Sequence, residues 1–209
     1  MRSSGDKQID LDELRQWNRS LCSSGAVILA HRIEAIERIT KVAEETYRRL
    51  AGNEQQLSLK YVSTVPSPDG ASMGEIEQTM MSALEESLHR EKRIGFTLVG
   101  PHRDDIGLEI DGVEMSRHAS RGQARLAALA LRLSEGELLA EDKMESPILL
   151  IDDVFSELDD VRRRTVLDEA KQYHQSLLTI TDLGILPNLG GGHANYFNIQ
   201  RGQIHANAF

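Results

Sequence analysis

The stretch PILLIDDVFSELDD, from Pro147 to Asp160, decides how this chain is read. Ile148 to Ile151 run without a polar break, as in a strand that a parallel sheet hides on both faces. The run ends in Asp152 and Asp153, two carboxylates at the carboxyl end of the strand, where open α/β sheets bind ligands. One carboxylate there can hold Mg²⁺, directly or through water, and the next can orient or deprotonate an attacking water. A strand that simply ends in a solvated Asp-Asp turn fits these two residues equally well. Downstream, a helix is expected from about Leu158 to Tyr173, then a second buried strand from Leu177 to Thr181. Strand, helix, strand in this order implies a βαβ unit in a mostly parallel sheet. Tyr196 to Ile199 and Gly202 to Ile204 read as a closing hairpin.

Working back from Pro147, Gly122 to Glu141 is apolar nearly all round, the pattern of a buried helix. Ser120-Arg121-Gly122-Gln123 opens it. A serine at the N-cap, a glycine that admits close approach and free amides at a positive helix end make an anion site. An ordinary helix cap is the alternative. Ile106 to Ile110 and Val113 to Met115 flank Asp111-Gly112, a strong hairpin signal, and Phe96 to Val99 reads as a short strand.

Before residue 95 the pattern is helical. Leu29, Ile33, Ile36, Thr40, Ala43, Tyr47 and Leu50 repeat in alternating steps of four and three. Four Glu–Arg or Glu–Lys pairs (Glu34–Arg38, Glu37–Lys41, Glu44–Arg48, Glu45–Arg49) lie on the other face, and Gly52-Asn53 supplies helix-ending chemistry. An earlier piece, Asp10 to Leu21, places Leu11, Leu14, Trp17 and Leu21 on one face. Leu57, Leu59 and Tyr61 alternate as in a half-buried strand, and Val65 to Gly70 breaks regular structure. A second helix is expected from Ser72 to Arg93 with Met73, Ile76, Met80, Leu84 and Leu88 inward. Packing within the domain accounts for both stripes better than a dimeric coiled coil does.

The 209 residues carry 24 Lys and Arg against 33 Asp and Glu, a net charge of −9, which argues against a protein that coats DNA by bulk positive charge. One cysteine, Cys22, excludes an internal disulfide framework. The longest apolar run, Leu126 to Leu131, is far below the ~18 residues that span a bilayer, and Met1 is followed by no signal-peptide stretch. A soluble, cytoplasmic chain with no membrane partner is expected.

In order and spacing, Ser120-Arg-Gly-Gln-Ala-Arg125, the Asp152-Asp153 strand, Ser156-Glu-Leu-Asp159 and Thr181-Asp182 resemble the signature motif, Walker B strand, D-loop and switch strand of ABC-type ATPases. Together with Val99-Gly-Pro-His-Arg-Asp-Asp105, they resemble most closely the RecF family, relatives of the SMC proteins in DNA recombination and repair. The resemblance covers essentially the whole chain. It implies an α/β fold, a partial ABC-ATPase (P-loop NTPase-like) head with a mostly parallel sheet and a helical arm. Residues 1–94 would be the helical second lobe with a short strand, and 95–209 the carboxyl-terminal part of the head.

A phosphate loop needs G-x-x-x-x-G-K-S/T, and none of the six lysines here follows a glycine, so there is no Walker A. In the RecF family that loop lies in an N-terminal region, so the chain resembles a carboxyl-terminal half that neither binds ATP tightly nor hydrolyses it alone. By resemblance, Ser120, Gly122 and Gln123 contact the ATP γ-phosphate in trans, and Asp152 is the Mg²⁺-associated Walker B aspartate. Asp153 stands where most ABC ATPases have a catalytic glutamate. It is one methylene shorter, so slow hydrolysis is expected. Asp159 matches the D-loop aspartate that couples the two sites, and Thr181 stands in the place of the switch histidine.

The family further implies an ATP-dependent homodimer that binds duplex DNA near single-stranded gaps. With RecO and RecR it helps load the recombinase RecA and supports the SOS response. Basic clusters at Arg90-Glu-Lys92-Arg93, at Arg117, Arg121 and Arg125, and at Arg162 to Arg164 are candidate phosphate contacts or plain solvated surface. Nine aromatics argue against base stacking on single strands. A non-catalytic adaptor and an SMC- or RecN-like head are the alternatives, although a RecN-like chain predicts a longer coiled coil. His102-Arg103-Asp104-Asp105 has no role derivable from sequence. Two Asp-Asp pairs also admit a two-metal nuclease, a weak reading because nothing in the sequence shows that they converge.

Overall fold

The computed structural model describes residues 11–52, 54–66, 70–144, 146–182, 184 and 194–207. The chain divides into two compact units, Met1–Leu138 and Leu139–Phe209. The expected boundary after residue 94 does not coincide with this division.

The first unit is built on α1, Leu11–Ala51, one continuous helix. Its buried stripe starts a heptad earlier than Leu29: Cys22, Ala26 and Leu29 are buried, as are Ala43, Tyr47 and Leu50. Trp17, on one face with Leu14 and Leu21, is 67% exposed. Glu45 pairs with both Arg48 and Arg49, while Glu44 accepts from the Gln56 side-chain amide at 3.0 Å. Gly52, at φ +65°, closes the helix by donating to the Arg48 carbonyl at 3.1 Å. Asn53, the other half of that stop signal, Asp10 at the expected helix start and residues 67–69 of the Val65–Gly70 break lie outside the described residues.

Helix α2, Met73–Ile94, begins with a capping box. Ser72 Oγ accepts from the Glu75 amide at 3.4 Å, and the Glu75 carboxylate accepts from the Ser72 amide at 2.8 Å. The Ser72 hydroxyl, which donates to Glu75 Oε2 at 2.7 Å, and then the Ser72 amide hold the Glu75 carboxyl below its usual range. Ile76, Met80 and Leu84 pack with Cys22, Ala26, Leu29, Val65 and Val99 into one cluster. Gly25 makes that contact possible: a Cβ there would sit 2.7 Å from Met80 Sδ.

Three antiparallel strands accompany the helices, β1 (Leu57–Val62), β2 (Asp105–Ile110) and β3 (Val113–Glu114). Leu57 pairs with Ile110 and Val62 with Asp105. Asp111 and Gly112, at φ +53° and +76°, form the tight turn that a two-residue hairpin requires. The expected strand at Phe96–Val99 does not form. Side chains take the backbone groups a ladder would use: Leu98 N donates to Glu91 Oε1 at 2.7 Å, the Thr97 carbonyl accepts from Arg103 Nε at 2.8 Å, and Gly100 N donates to Thr64 Oγ1 at 2.9 Å.

A short helix α3, Met115–His118, precedes α4, Arg121–Lys143. The expectation of a helix buried all round is corrected. Leu126, Ala127, Ala130, Leu133 and Ser134 are buried, whereas Ala128, Arg132, Glu135 and Leu139 are exposed. Small and aliphatic residues on both faces conceal the amphipathicity from a composition-based reading.

In the second unit, β4 (Ile148–Asp152) and β5 (Gln175–Thr179) pair in parallel around α5 (Asp160–Ala170), the expected βαβ order. The helix does not start at Leu158. Phe155–Glu157 is a 3₁₀ turn, Leu158 is extended, and Asp159 caps α5 by accepting from the Arg162 amide at 2.9 Å. Strand β4 is covered on one face only: Ile151 is buried while Leu150 is 71% exposed. Strands β6 (Tyr196–Gln200) and β7 (Gln203–Asn207) form the expected hairpin about Arg201-Gly202. The chain is α/β, with one parallel strand pair among the described residues and a long helical part.

Candidate nucleotide site

The serine and glutamine that open α4 form a reciprocal cap. Ser120 Oγ accepts from the Gln123 amide at 3.2 Å, and Gln123 Oε1 accepts from the Ser120 amide at 2.9 Å. Both acceptor functions are thereby turned on the chain's own backbone. The Ser120 hydroxyl proton and the Gln123 side-chain NH₂ remain as donors, which suits an anion. No acidic residue occupies the first turn, and Arg121 beside it is exposed. Helix-end amides and this local charge favour a phosphate. Gly122 is exposed, and a Cβ there would meet only Ser120 Oγ, at 4.0 Å. Neither packing nor a positive φ requires glycine at this position.

The second cluster lies where β4 stops. Parallel pairing sets Asp152 opposite Thr179, the last residue of β5. The Thr179 hydroxyl donates to Asp152 Oδ1 and accepts from the Asp153 amide at 3.0 Å. Asp153 is left-handed, φ +47°, and its carbonyl accepts from Ser156 Oγ at 3.2 Å. Among the described residues the Asp153 carboxylate takes up no hydrogen bond, and Asp152 keeps Oδ2 free. No group of three His, Cys, Asp or Glu among the described residues could hold a metal. What Asp152 offers is one carboxylate oxygen. That fits Mg²⁺, which takes its remaining ligands from phosphate oxygens and water.

The candidate residues thus fall into two clusters, Ser120, Gly122 and Gln123 at the start of α4 and Asp152 and Asp153 at the end of β4. Asp159 belongs to neither: its carboxylate is engaged by the Arg162 amide and, at 3.0 Å, by the Arg162 guanidinium. Thr181 lies two residues beyond β5, exposed and without a hydrogen bond among the described residues. The threonine that touches the aspartates is Thr179. Sequence inspection passes over it because only the parallel register sets it against Asp152.

The Gly-Pro-His-Arg-Asp-Asp segment acquires a physical role. Asp104 is the acceptor of a clamp, receiving Tyr61 OH at 2.7 Å, Ser63 Oγ at 3.3 Å, and both Thr64 N and Thr64 Oγ1 at 2.7 Å. Arg32 of α1 reaches the Pro101 carbonyl and, at 3.4 Å, the Tyr61 hydroxyl. Burial, opposed by Arg32 and reinforced by Asp104, pushes the Tyr61 phenol above its usual range. Arg103 lies over the Phe96 ring, 4.5 Å from its centroid. With four donors on its carboxylate, Asp104 is spoken for structurally, which removes the support for a two-metal reading.

No family model matches the chain. It is similar to the DNA replication and repair protein RecF of Chloroflexus aggregans, 35% identical over 195 residues, covering 93% of this chain and 50% of that protein. It is also similar to that of Synechococcus sp., 34% over 203 residues, 97% of this chain and 53% of that protein. The relative from Symbiobacterium thermophilum is 40% identical over 183 residues, 85% of this chain and 48% of that protein. Among solved structures, the recombination mediator protein RecF-ATPrS in the RecFOR pathway superposes with a TM-score of 0.82 at 29% identity, over 97% of this chain and 53% of that one. The RecF-ATP form gives a TM-score of 0.80 at 27% identity, over 97% of this chain and 52% of that one. The chain spans about half the length of the curated relatives it matches.

Proposed function

The chain belongs to the RecF family over the half of its relatives' length that it spans, and on that premise we propose that it is the carboxyl-terminal part of an ATP-dependent DNA replication, repair and recombination protein. The observation that carries this reading is the superposition of 97% of the chain on RecF bound to ATP or ATPrS, with a donor-presenting helix cap and a free-oxygen aspartate in the two motifs.

In this reading Ser120, Gly122 and Gln123 close over the γ-phosphate of ATP held by a second subunit. The serine hydroxyl, the glutamine NH₂ and the helix-end amides donate to it. Asp152 offers Oδ2 to Mg²⁺, which neutralises phosphate charge when bound. Asp153, with its backbone pinned and its carboxylate free, orients a water. Asp159 and Thr181 keep the coupling and switch roles that family resemblance gives them, Asp159 through the start of α5. The partners are duplex DNA near single-stranded gaps and RecO/RecR-type mediators, and the complete protein works in the cytoplasm as a homodimer. Among the described residues no helix is long and apolar enough to cross a membrane.

The test is Ser120→Arg in the complete protein. An arginine there removes the cap and fills the space that Gly122 leaves open. ATP affinity is expected to stay within a few-fold while ATP-induced dimerisation, read by sedimentation with a non-hydrolysable analogue, is lost. Unchanged dimerisation refutes the assignment of Ser120 to Gln123.

A further inference from the structure

We propose that Thr179 is the positioning residue of the Asp152–Asp153 pair, one hydroxyl that fixes the carboxylate of the first aspartate and the backbone of the second. The inference rests on the nucleotide-site reading above only for what the pair is used for. Its geometry stands apart from that reading.

A threonine hydroxyl has one proton and two lone pairs. At Thr179 the proton goes to Asp152 Oδ1 and a lone pair receives the Asp153 amide at 3.0 Å. The strand pairing makes both contacts possible at once. Asp152 and Thr179 are partners in the parallel register, so the Thr179 side chain meets the last residue of β4 and the first residue past it. Asp153 needs such a restraint. A non-glycine residue at φ +47° sits in a sparsely populated region and persists only where its surroundings hold it. Here its N–H is held by Thr179 and its carbonyl by Ser156 Oγ. The bond to Asp152 Oδ1 takes one of its acceptor sites and orients the carboxylate so that Oδ2 is the fully open oxygen for a cation, while the Asp153 backbone is held with its carboxylate unengaged. The hydroxyl thereby assigns the two neighbouring acids different tasks: Asp152 becomes a ligand through one oxygen, and Asp153 an unengaged acceptor.

The experiment uses the 209-residue chain with Thr179→Val, which keeps the β-branched shape and loses the hydroxyl, and Thr179→Ser, which keeps the hydroxyl. Amide hydrogen exchange is followed residue by residue by NMR, and Mn²⁺ is added as a paramagnetic probe of Asp152. In Thr179→Val the Asp153 amide is expected to exchange about tenfold faster, as for the loss of one hydrogen bond, while the other β4 and β5 amides are unchanged. Line broadening by Mn²⁺ at residues 152 and 153 should weaken several-fold, and Thr179→Ser should restore both readouts. Unchanged Asp153 exchange in the valine variant overturns the proposal. So does a serine variant that behaves like valine, or a general acceleration along both strands, which would mark a packing role. If exchange responds as expected but Thr179→Val leaves the Mn²⁺ broadening unchanged, the division of tasks between the two acids is overturned; the nucleotide-site reading fails separately, on unchanged ATP-induced dimerisation of Ser120→Arg in the complete protein.

Discussion

Asp104 shows what a single carboxylate does when it is surrounded by donors. Four hydrogen bonds from Tyr61, Ser63 and Thr64 converge on it, tying the exit of β1 to the loop that follows α2. Removing the carboxylate strands those donors in partly buried positions, and bonds to a charged group are worth about 1.5–3 kcal/mol each before such losses are shared. Asp104→Ala is therefore expected to destabilise the chain by about 2–3 kcal/mol, measured by urea unfolding, with Asp104→Asn recovering part of it. A change under about 0.5 kcal/mol would show that solvent replaces the clamp. The pH dependence has a definite sign. The Tyr61 phenol donates only while protonated, and burial raises its pKa above the ordinary phenol value of about 10. Its contribution is complete below that value and is lost as pH rises through the higher folded-state one.

At the scale of elements, the crossing of α1 and α2 depends on Gly25. Alanine there gains about 1 kcal/mol of helix propensity. Its methyl, however, falls 2.7 Å from Met80 Sδ and 2.8 Å from Met80 Cε in a fully buried side chain. Overpacking costs about 1–3 kcal/mol, so Gly25→Ala should be net destabilising despite better helix chemistry. Pairing it with Met80→Ala should reveal a favourable coupling above about 0.5 kcal/mol in a double-mutant cycle, because the new methyl enters the vacated space. Additive effects would mean the helices shift apart instead. The local signals at this scale were legible in sequence: the apolar stripe through Ile76, Met80 and Leu84 marked α2, Asp111-Gly112 the hairpin, and the aliphatic run β4. Three features were not, each for a reason of context. Phe96–Val99 has strand composition, but Glu91 and Arg103 claim its backbone groups. Helix α4 hides a polar face among alanines. In Leu177–Thr181 two threonines stand two apart, and only the register shows that Thr179, not Thr181, meets Asp152.

For the whole molecule, the open face of the parallel pair has consequences in solution. Leu150 and Leu177, cross-strand partners, are 71% and 50% exposed, and on the closing hairpin Phe197, Ile199 and Ile204 are exposed as well. Parallel strands are ordinarily covered on both faces, and large exposed apolar patches drive association. The 209-residue chain is expected to self-associate with rising concentration, and Leu150→Lys to shift sedimentation towards monomer with little change in thermal midpoint. Monomeric behaviour of the unsubstituted chain at high concentration would contradict this.

Gly122 sits in the first turn of a long helix with open space where a methyl would go. Gly122→Ala should therefore raise the thermal midpoint, by a few tenths to about 1 kcal/mol of added stability, while weakening ATP-induced dimerisation of the complete protein. A heat-challenge or protease-challenge library built on this chain would then enrich alanine at position 122, and on the proposed reading the complete protein carrying that alanine would respond less to nucleotide. A thermal midpoint that falls instead would mean that the glycine is needed by the fold. Any stabilisation campaign here has to screen for response as well as survival, since at this position the two selections pull in opposite directions.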